Sequence, residues 1–386
     1  MVSILINSLA GGGAEKVVLT LLKELKQAGA EVELVCVEHE RFYSLPEDVN
    51  VRYLTEYEKI KNPVMKLVYV FVCAVRLKKY VKENNVQYVQ SHLIRSNFIN
   101  ALAKLFGSKH KTQIVNHMMV SFDKKRAFLG KVNLFLYKKL YARVDMIVSI
   151  SEVMKRDLDD FFKLQNRNRH VVINNPHDVA TIQQRAQEES EFFQFDPAKK
   201  YIVSAGRLVE RKRVDLLIKA YSELKDDFDD VELLILGNGE MMDHYRKVAE
   251  QVGVTDDVTF LGHVDNPFCY IAKSDVFVLA SEDEGLPNII IESHICGTTV
   301  VSSDCKSGPR EILSPSTSID IQLKDEVEMA EYGVLFPVGR EDLLAEALRR
   351  VLVDPAIRQQ YVQKGFERAQ DFYSDKIAKK YLETLA

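Results

Sequence analysis

Short runs of β-branched and aliphatic residues alternate with longer stretches of mixed polar and apolar residues along almost the whole chain. Runs that are apolar on both faces suit strands of a parallel sheet covered on each side by helices. In the first half the pattern predicts strands at 2–7, 32–37, 86–91, 113–116, 146–150 and 171–174, with a further short piece at 51–54. A second set begins at 201–205 and continues through 231–236, 258–260, 276–279 and 299–302. Helical spacing closes the chain at 340–353, 355–370 and 375–385. The reading is an α/β protein made of two doubly wound halves.

The stretch 176–199 is mostly polar, carries Glu188, Glu189 and Glu191 before Pro197, and lacks a sustained apolar period. It is expected to link a domain of residues 1–175 to one of residues 200–370. Phe192, Phe193 and Phe195 are too apolar for a free tether, so part of the linker should dock on a domain. The final stretch, 371–386, is expected to cross back to the first domain. Doubly wound sheets bind ligands outside the carboxyl ends of their strands, so the expected site is a cleft between two facing domains.

Length agrees with two domains, because 386 residues exceed the roughly 250–300 at which a single core stops growing. Hydrophobic residues at 46% and charged residues at 28% leave enough apolar surface to fold without staples. Cys36, Cys73, Cys269, Cys296 and Cys305 show no C-x-x-C pair or metal spacing, which implies a reduced, cytoplasmic compartment. The N-terminal run has no basic region and no cleavage site, and the longest apolar stretch, 67–75, is far short of the roughly 20 residues that cross a bilayer.

Charge is unevenly spread. The net charge is −4, yet residues 59–143 hold 18 Lys or Arg against two acids, Glu83 and Asp123. An anionic partner is implied for that region. Val64, Leu67, Val68, Phe71, Val72 and Val75 recur at helical spacing ahead of Arg76, Lys78, Lys79 and Lys82. Residues 122–143 repeat the theme, with Phe128, Leu129, Val132, Phe135, Leu136 and Leu140 among Lys124, Lys125, Arg126, Lys131, Lys138 and Lys139. Basic amphipathic helices adsorb to anionic leaflets. A peripheral enzyme on the inner face of the cytoplasmic membrane is therefore expected, with Lys78, Lys79, Lys124, Lys125, Arg126 and Lys131 as candidate membrane or acceptor contacts. The alternative is that the stripes pack on the first-domain sheet and the cations are solvated. No nucleic-acid reader motif accompanies the charge, so nucleic acid is not an expected partner.

Three loops carry candidate chemistry. Gly11, Gly12 and Gly13 follow the first strand and open a helix, a geometry that cradles phosphate or simply makes a tight turn. Gly206 follows a buried strand and precedes Arg207 and Lys212, a fork and a point charge that suit a diphosphate; a solvated loop is the alternative. After strand 276–279 comes Ser281-Glu282-Asp283-Glu284-Gly285-Leu286-Pro287-Asn288, then Glu292 one turn into a helix. Amides at that helix start would face an anion or a sugar, or the acids merely favour the helix dipole. The acids Asp226, Asp227, Asp229 and Asp230 read as a solvated loop, so no metal or other cofactor is expected.

In this order Gly12-Gly13-Ala14-Glu15, Gly206-Arg207 with Lys212, Gly237-Asn238-Gly239-Glu240, Glu284-Gly285-Leu286-Pro287 with Glu292, and Ser307-Gly308-Pro309-Arg310-Glu311 resemble glycosyltransferase family 4 over nearly the whole chain. More narrowly the chain is similar to bacterial transferases that elongate undecaprenyl-diphosphate-linked oligosaccharides, including GalNAc transferases. The resemblance implies the GT-B fold of two Rossmann-like domains and a retaining hexosyl or N-acetylhexosaminyl transfer from a nucleotide-sugar, expected to be UDP-linked HexNAc, to a lipid-linked glycan. It places Glu284 near the sugar hydroxyls and Glu292 on the ribose. Gly285, Leu286, Pro287 and Asn288 would lie at the sugar and distal phosphate, and Arg207 and Lys212 on the diphosphate. Gly12 and Gly13 would approach from the other domain, and the base would lie by Gly237, Gly262, His263 and Val264. The family's histidine after a first-domain strand has two candidates here, His92 and His117, and His117 matches better. Cations fixed around a departing diphosphate stabilise the transition state more than the ground state, so Arg207 and Lys212 would stand in for a metal. A nucleotide-sugar epimerase of the same fold and a non-catalytic nucleotide-sugar or membrane-binding protein are the rival readings.

Overall fold

The computed structural model describes residues 1–42, 45, 49–60, 62–121, 128–162 and 169–385. They form two compact units, Met1–Pro176 with Ser374–Ala386, and His177–Tyr373.

The first unit contains β1 (Val2–Ile6), β2 (Val32–Cys36), β3 (Val51–Tyr53), β4 (Tyr88–His92), β5 (Lys111–Asn116), β6 (Met146–Ser149) and β7 (His170–Val172). They pair in the order β3-β2-β1-β4-β5-β6-β7, all parallel. The second unit contains β8 (Lys200–Ala205), β9 (Val231–Leu236), β10 (Val258–Gly262), β11 (Val276–Leu279), β12 (Thr299–Ser303), β13 (Glu328–Met329) and β14 (Val334–Phe336). Their order is β10-β9-β8-β11-β12-β14-β13, with only β13 antiparallel to its neighbour. Central strands such as Val276 to Leu279 are buried along their length, as parallel strands covered on both faces must be.

Each strand expected from the apolar runs has a counterpart, with ends shifted by up to two residues; the run expected at 86–91, for instance, is β4. The two-residue β13 and three-residue β14 lie outside the expected set, because so short a pairing carries no period. Of the stretch read as a linker, 176–199, all but Pro176 is part of the second unit, and it contains the helix Val179–Ala186. Asp178 caps that helix by accepting from Thr181 N at 3.1 Å, and Asn266 Nδ2 donates to Arg185 O at 2.7 Å. Ile182 alone is buried on it, which is why no apolar period announces it. Phe195 and Phe193 pack edge-on against Tyr201. The last helix, Ser374–Leu385, belongs to the first unit and packs on the helix Gly13–Gln27. Ser374 Oγ donates to Glu24 at 2.7 Å, and Gln113 Nε2 donates to Thr384 Oγ1 at 2.7 Å.

The helix Pro63–Glu83 has two apolar faces. Val70, Cys73, Ala74, Leu77, Tyr80 and Val81 are buried, and the helix packs on Ile94–Leu105. Val64 (70% exposed), Leu67, Val68, Phe71 and Val75 (58% exposed) form a second stripe that faces outward. Packing against the sheet therefore does not account for that stripe. Of the second basic segment, residues 122–127, with Lys124, Lys125 and Arg126, lie outside the described residues. Helix Phe128–Leu140 buries Tyr137 and Leu140 and exposes Phe135, Lys131, Lys138 and Lys139. No helix among the described residues is long and apolar enough to cross a membrane.

A buried relay links the end of the first sheet: Ser149 Oγ lies 2.9 Å from His170 Nε2, and His170 Nδ1 lies 2.8 Å from Asp159 Oδ1. The order copies a nucleophile triad, but Ser149 has no exposed surface and the relay serves packing.

Gly237 has φ of +125°, and a Cβ there would overlap the Gly206 carbonyl oxygen. Gly253 also has positive φ, +75°, but opens onto free space. Gly253→Ala should cost about 1 kcal/mol. Gly237→Ala, which adds a backbone overlap, should cost about 3 kcal/mol. Urea unfolding of both variants checks this, and equal midpoints would refute the close packing.

Candidate functional site

Strand order reverses between β1 and β4 in one unit and between β8 and β11 in the other. Loops leaving such neighbours run to opposite faces and leave a crevice between them. The donor-site candidates from the sequence lie at or just after the ends of β1, β4 and β5 in the first unit and of β8, β9, β10 and β11 in the second.

In the second unit, three loops are stitched edge to edge. Gly206 N donates to Leu236 O at 3.0 Å, Gly237 N to Gly262 O at 2.6 Å, and Leu208 N to Asn238 O at 2.9 Å. A Cβ on Gly239 would overlap the Leu208 carbonyl. Glycine at 237 and 239 is thus a requirement of backbone meeting backbone. Gly262, His263 and Val264 follow on the neighbouring strand end; His263 is exposed, 3.5 Å from Asp265, and Val264 is buried.

Beside these loops a charged cluster joins the turn after β8 to the turn after β11. Lys212 Nζ donates to Glu284 Oε1 at 2.6 Å. Arg211 Nη1 reaches the Asp283 carbonyl at 3.0 Å and lies 3.6 Å from Glu284 Oε2. Arg213 Nη1 pairs with Glu282 at 2.8 Å, and Glu282 N donates to Arg211 O at 2.8 Å. Burial of Glu284 would raise its carboxyl, but the positive charges of Lys212 and Arg211 outweigh it and hold the group below the usual carboxylate range. Arg207 is exposed, and its side chain has no partner among the described residues. Lys212 is thus already balanced, while Arg207 offers uncompensated charge. Arg211 and Arg213 were not singled out in the sequence; their sole signal is the run Arg211-Lys212-Arg213.

Gly285, Leu286 and Pro287 lead into helix Asn288–Cys296, in which Glu292 is buried one turn along. Ser307 Oγ donates to Gly285 O at 2.6 Å. Gly308, at φ +97°, presses so close to Pro287 that any Cβ would overlap it. Arg310 anchors this second turn from beneath. Its guanidinium forks onto Asp304 at 3.0 and 2.8 Å and also donates to Glu328 at 2.9 Å and Thr317 at 3.0 Å. Arg310 is therefore a buried brace, with four of its donors engaged by side chains of its own unit.

In the first unit, Gly11 takes φ +94° and Gly12 caps the helix Gly13–Gln27 without a side-chain bond. Asn7 Oδ1 accepts from Ser96 N at 3.1 Å and Ser96 Oγ at 2.8 Å, tying the loop after β1 to the one after β4. His92 ends β4 and His117 directly follows β5. The two histidines, weighed as alternatives in the sequence, sit together: His92 Nδ1 lies 2.9 Å from His117 Nε2. His92 is fully buried and His117 half-buried. Burial pushes His117 down to about 4, and burial with the neighbouring His117 pushes His92 down as well, so both rings are neutral near pH 7. On the helix Pro63–Glu83, Lys78 Nζ donates to Phe106 O at 2.6 Å, and Lys79 lies 3.7 Å from Glu83.

Residues 11–181 match the family described as Glycosyltransferase Family 4, and residues 185–368 match Glycosyl transferases group 1. A Campylobacter jejuni enzyme named N-acetylgalactosamine-N,N'-diacetylbacillosaminyl-diphospho-undecaprenol 4-alpha-N-acetylgalactosaminyltransferase is 32% identical over 99% of this chain and 98% of its own. A second Campylobacter jejuni protein, named GalNAc-alpha-(1->4)-GalNAc-alpha-(1->3)-diNAcBac-PP-undecaprenol alpha-1,4-N-acetyl-D-galactosaminyltransferase, is 26% identical over 100% of this chain and 98% of its own. Among solved structures, Anabaena Alr3699/HepE in complex with UDP superposes with a TM-score of 0.79 at 17% identity, covering 100% of this chain and 99% of that one, a likeness of fold. With the paired switch-point loops in each sheet, these matches establish that the chain is a GT-B glycosyltransferase belonging to glycosyltransferase family 4.

Proposed function

We propose that the protein transfers an N-acetylhexosamine from a UDP-sugar, with retention of configuration, to a polyprenyl-diphosphate-linked glycan at the inner face of the cytoplasmic membrane. The carrying observation is the second-unit crevice, where the turn after β8 supplies exposed Arg207 and the half-buried Lys212, paired with Glu284 from the turn after β11. The names of the two Campylobacter relatives supply the sugar and acceptor class, and the UDP held by the Anabaena protein supplies the base.

Cleavage of the anomeric bond spreads positive charge over the sugar ring and leaves negative charge on the diphosphate. Arg207 would grip that diphosphate with its fork. Lys212 has three N–H donors, so it can keep Glu284 and still reach a phosphate oxygen. These cations would do the work of a metal, and no cofactor is invoked. Glu284, kept ionised by its neighbours, would orient sugar hydroxyls, and Glu292 would accept from the ribose. Backbone of Gly285, Leu286, Pro287 and Asn288 would line the sugar and distal phosphate, with the base against Gly237, Gly262, His263 and Val264. In the first unit Gly12 and Gly13 would approach the phosphates, and His117, as a neutral ring, would support the sugar by hydrogen bonding.

The membrane is the second partner. The outward stripe Val64, Leu67, Val68, Phe71 and Val75 would sink into the acyl boundary, with cations such as Lys79 and Lys131 meeting anionic headgroups. Lys78, bonded to the Phe106 carbonyl, is the weaker candidate of the described set.

Assay of UDP-, GDP- and ADP-sugars with a lipid-diphosphate glycan should give transfer from UDP-HexNAc and little from the rest; donor conversion without any transfer would point to an epimerase instead. Arg207→Ala and Lys212→Ala should each lower kcat/KM by about 100- to 1000-fold. Because Lys212 and Glu284 touch, the Lys212→Ala, Glu284→Ala double variant should lose less than the product of the single losses. Vesicle flotation should recover the protein with anionic lipid at low salt, and Leu67→Asp with Phe71→Asp should cut recovery at least about tenfold; equal recovery on neutral vesicles would remove the membrane role.

The lowered His117 value also links to stability. Between about 6.5, the unfolded value, and about 4, the folded chain binds fewer protons at this ring than the unfolded chain. The contribution is whole above that window and is lost as pH falls through it. The urea midpoint of the wild type should therefore drop more steeply over this range than that of His117→Asn; parallel curves would contradict the assignment.

A further inference from the structure

We propose that His92 is a positioning residue for the transfer reaction: donating from Nδ1, it holds His117 in the tautomer protonated on Nδ1, so that His117 meets the bound sugar as a hydrogen-bond donor. The proposal rests on the reading that His117 faces the donor sugar.

The two rings come from neighbouring parallel strands, with His92 opposite Val115 in the β4–β5 register and His117 two residues beyond. At 2.9 Å the contact between His92 Nδ1 and His117 Nε2 is a hydrogen bond, and two nitrogens can share only one proton along it. The opposite edge of His92 decides which ring supplies that proton. His92 Nε2 is buried and has no partner among the described residues. A proton there would be an orphaned N–H, whereas a bare lone pair there leaves no donor unmet. The His92 proton therefore sits on Nδ1 and points at His117.

His117 Nε2 must then be the acceptor. Since burial keeps both rings neutral near pH 7, the single proton of His117 falls to its Nδ1. That nitrogen has no partner among the described residues, and His117 is only half-buried, so a ligand can reach it. A sugar hydroxyl or amide oxygen is the kind of group it would meet. Without His92, the ring of His117 is free to carry its proton on either nitrogen and to turn about χ1.

The test uses full-length enzyme labelled with 15N-histidine, read by two-bond 1H–15N correlation, alongside steady-state transfer kinetics of His92→Leu, His92→Asn and His117→Ala. The expected result is an Nδ1-protonated His117 in the wild type. His92→Leu should mix the tautomers and lower kcat about 10- to 100-fold with little change in donor KM. His92→Asn, whose amide can donate from nearly the place of Nδ1, should recover most of that loss. An Nε2-protonated His117 in the wild type would overturn the proposal whether or not the variants fold. So would a His92→Leu enzyme of full activity when His117→Ala is crippled. If His117→Ala itself retains full activity while the wild-type tautomer is as expected, the underlying reading of His117 fails, and the proposal falls with it for that separate reason.

Discussion

Parallel strands have to be joined by crossovers that return the chain to the same edge, and in each unit those crossovers change direction between two central strands. The change forces the loops after β1 and β4 apart in one sheet and those after β8 and β11 apart in the other. Backbone amides, helix starts and polar side chains are left facing an opening that the rest of the sheet cannot fill. The loops that carry the candidate site residues of each unit border those two openings. The glycines at 206, 237 and 239 permit neighbouring loops to close ranks beneath one of them, and Asn7 with Ser96 does the same beneath the other.

The two openings differ in how their charge is arranged. That of the second unit is built from ions, with Glu284 buried against Lys212 and flanked by Arg211. A buried carboxylate keeps its charge only with such company, and the cost of desolvating it is met by cations that themselves need a counter-charge. That of the first unit holds the neutral imidazoles of His92 and His117, joined by one hydrogen bond, together with an ion pair between Arg95 and buried Glu38 at 2.7 Å.

The sheets were legible in the sequence because strands buried on both faces need unbroken apolar runs, and Val276 to Leu279 or Val231 to Leu236 can hardly be anything else. The loops at the crevices were legible through glycine, whose positions report where backbones touch. What stayed hidden was pairing at a distance. Nothing near His92 in the chain announces that His117 will lie 2.9 Å away, since adjacency in a parallel sheet is set by crossovers and not by spacing. Arg310 belongs to a motif whose role the sequence leaves open, and the fold makes it a brace on Asp304. The helix Val179–Ala186 escaped because one buried residue, Ile182, is too little to generate a period. The outward stripe of Pro63–Glu83 was visible as apolar spacing, but only the fold reveals that a different face of the helix does the packing.

The docking of Ser374–Leu385 onto Gly13–Gln27 makes the first unit discontinuous, with the whole of the second inserted in it. During synthesis the ribosome therefore delivers a contiguous second unit while the earlier one still lacks its final helix. Gln113 and Glu24 must wait for Thr384 and Ser374 to emerge. The part of the molecule made first is the part finished last, and its nascent form must keep the face of Gly13–Gln27 open for several hundred residues of elongation.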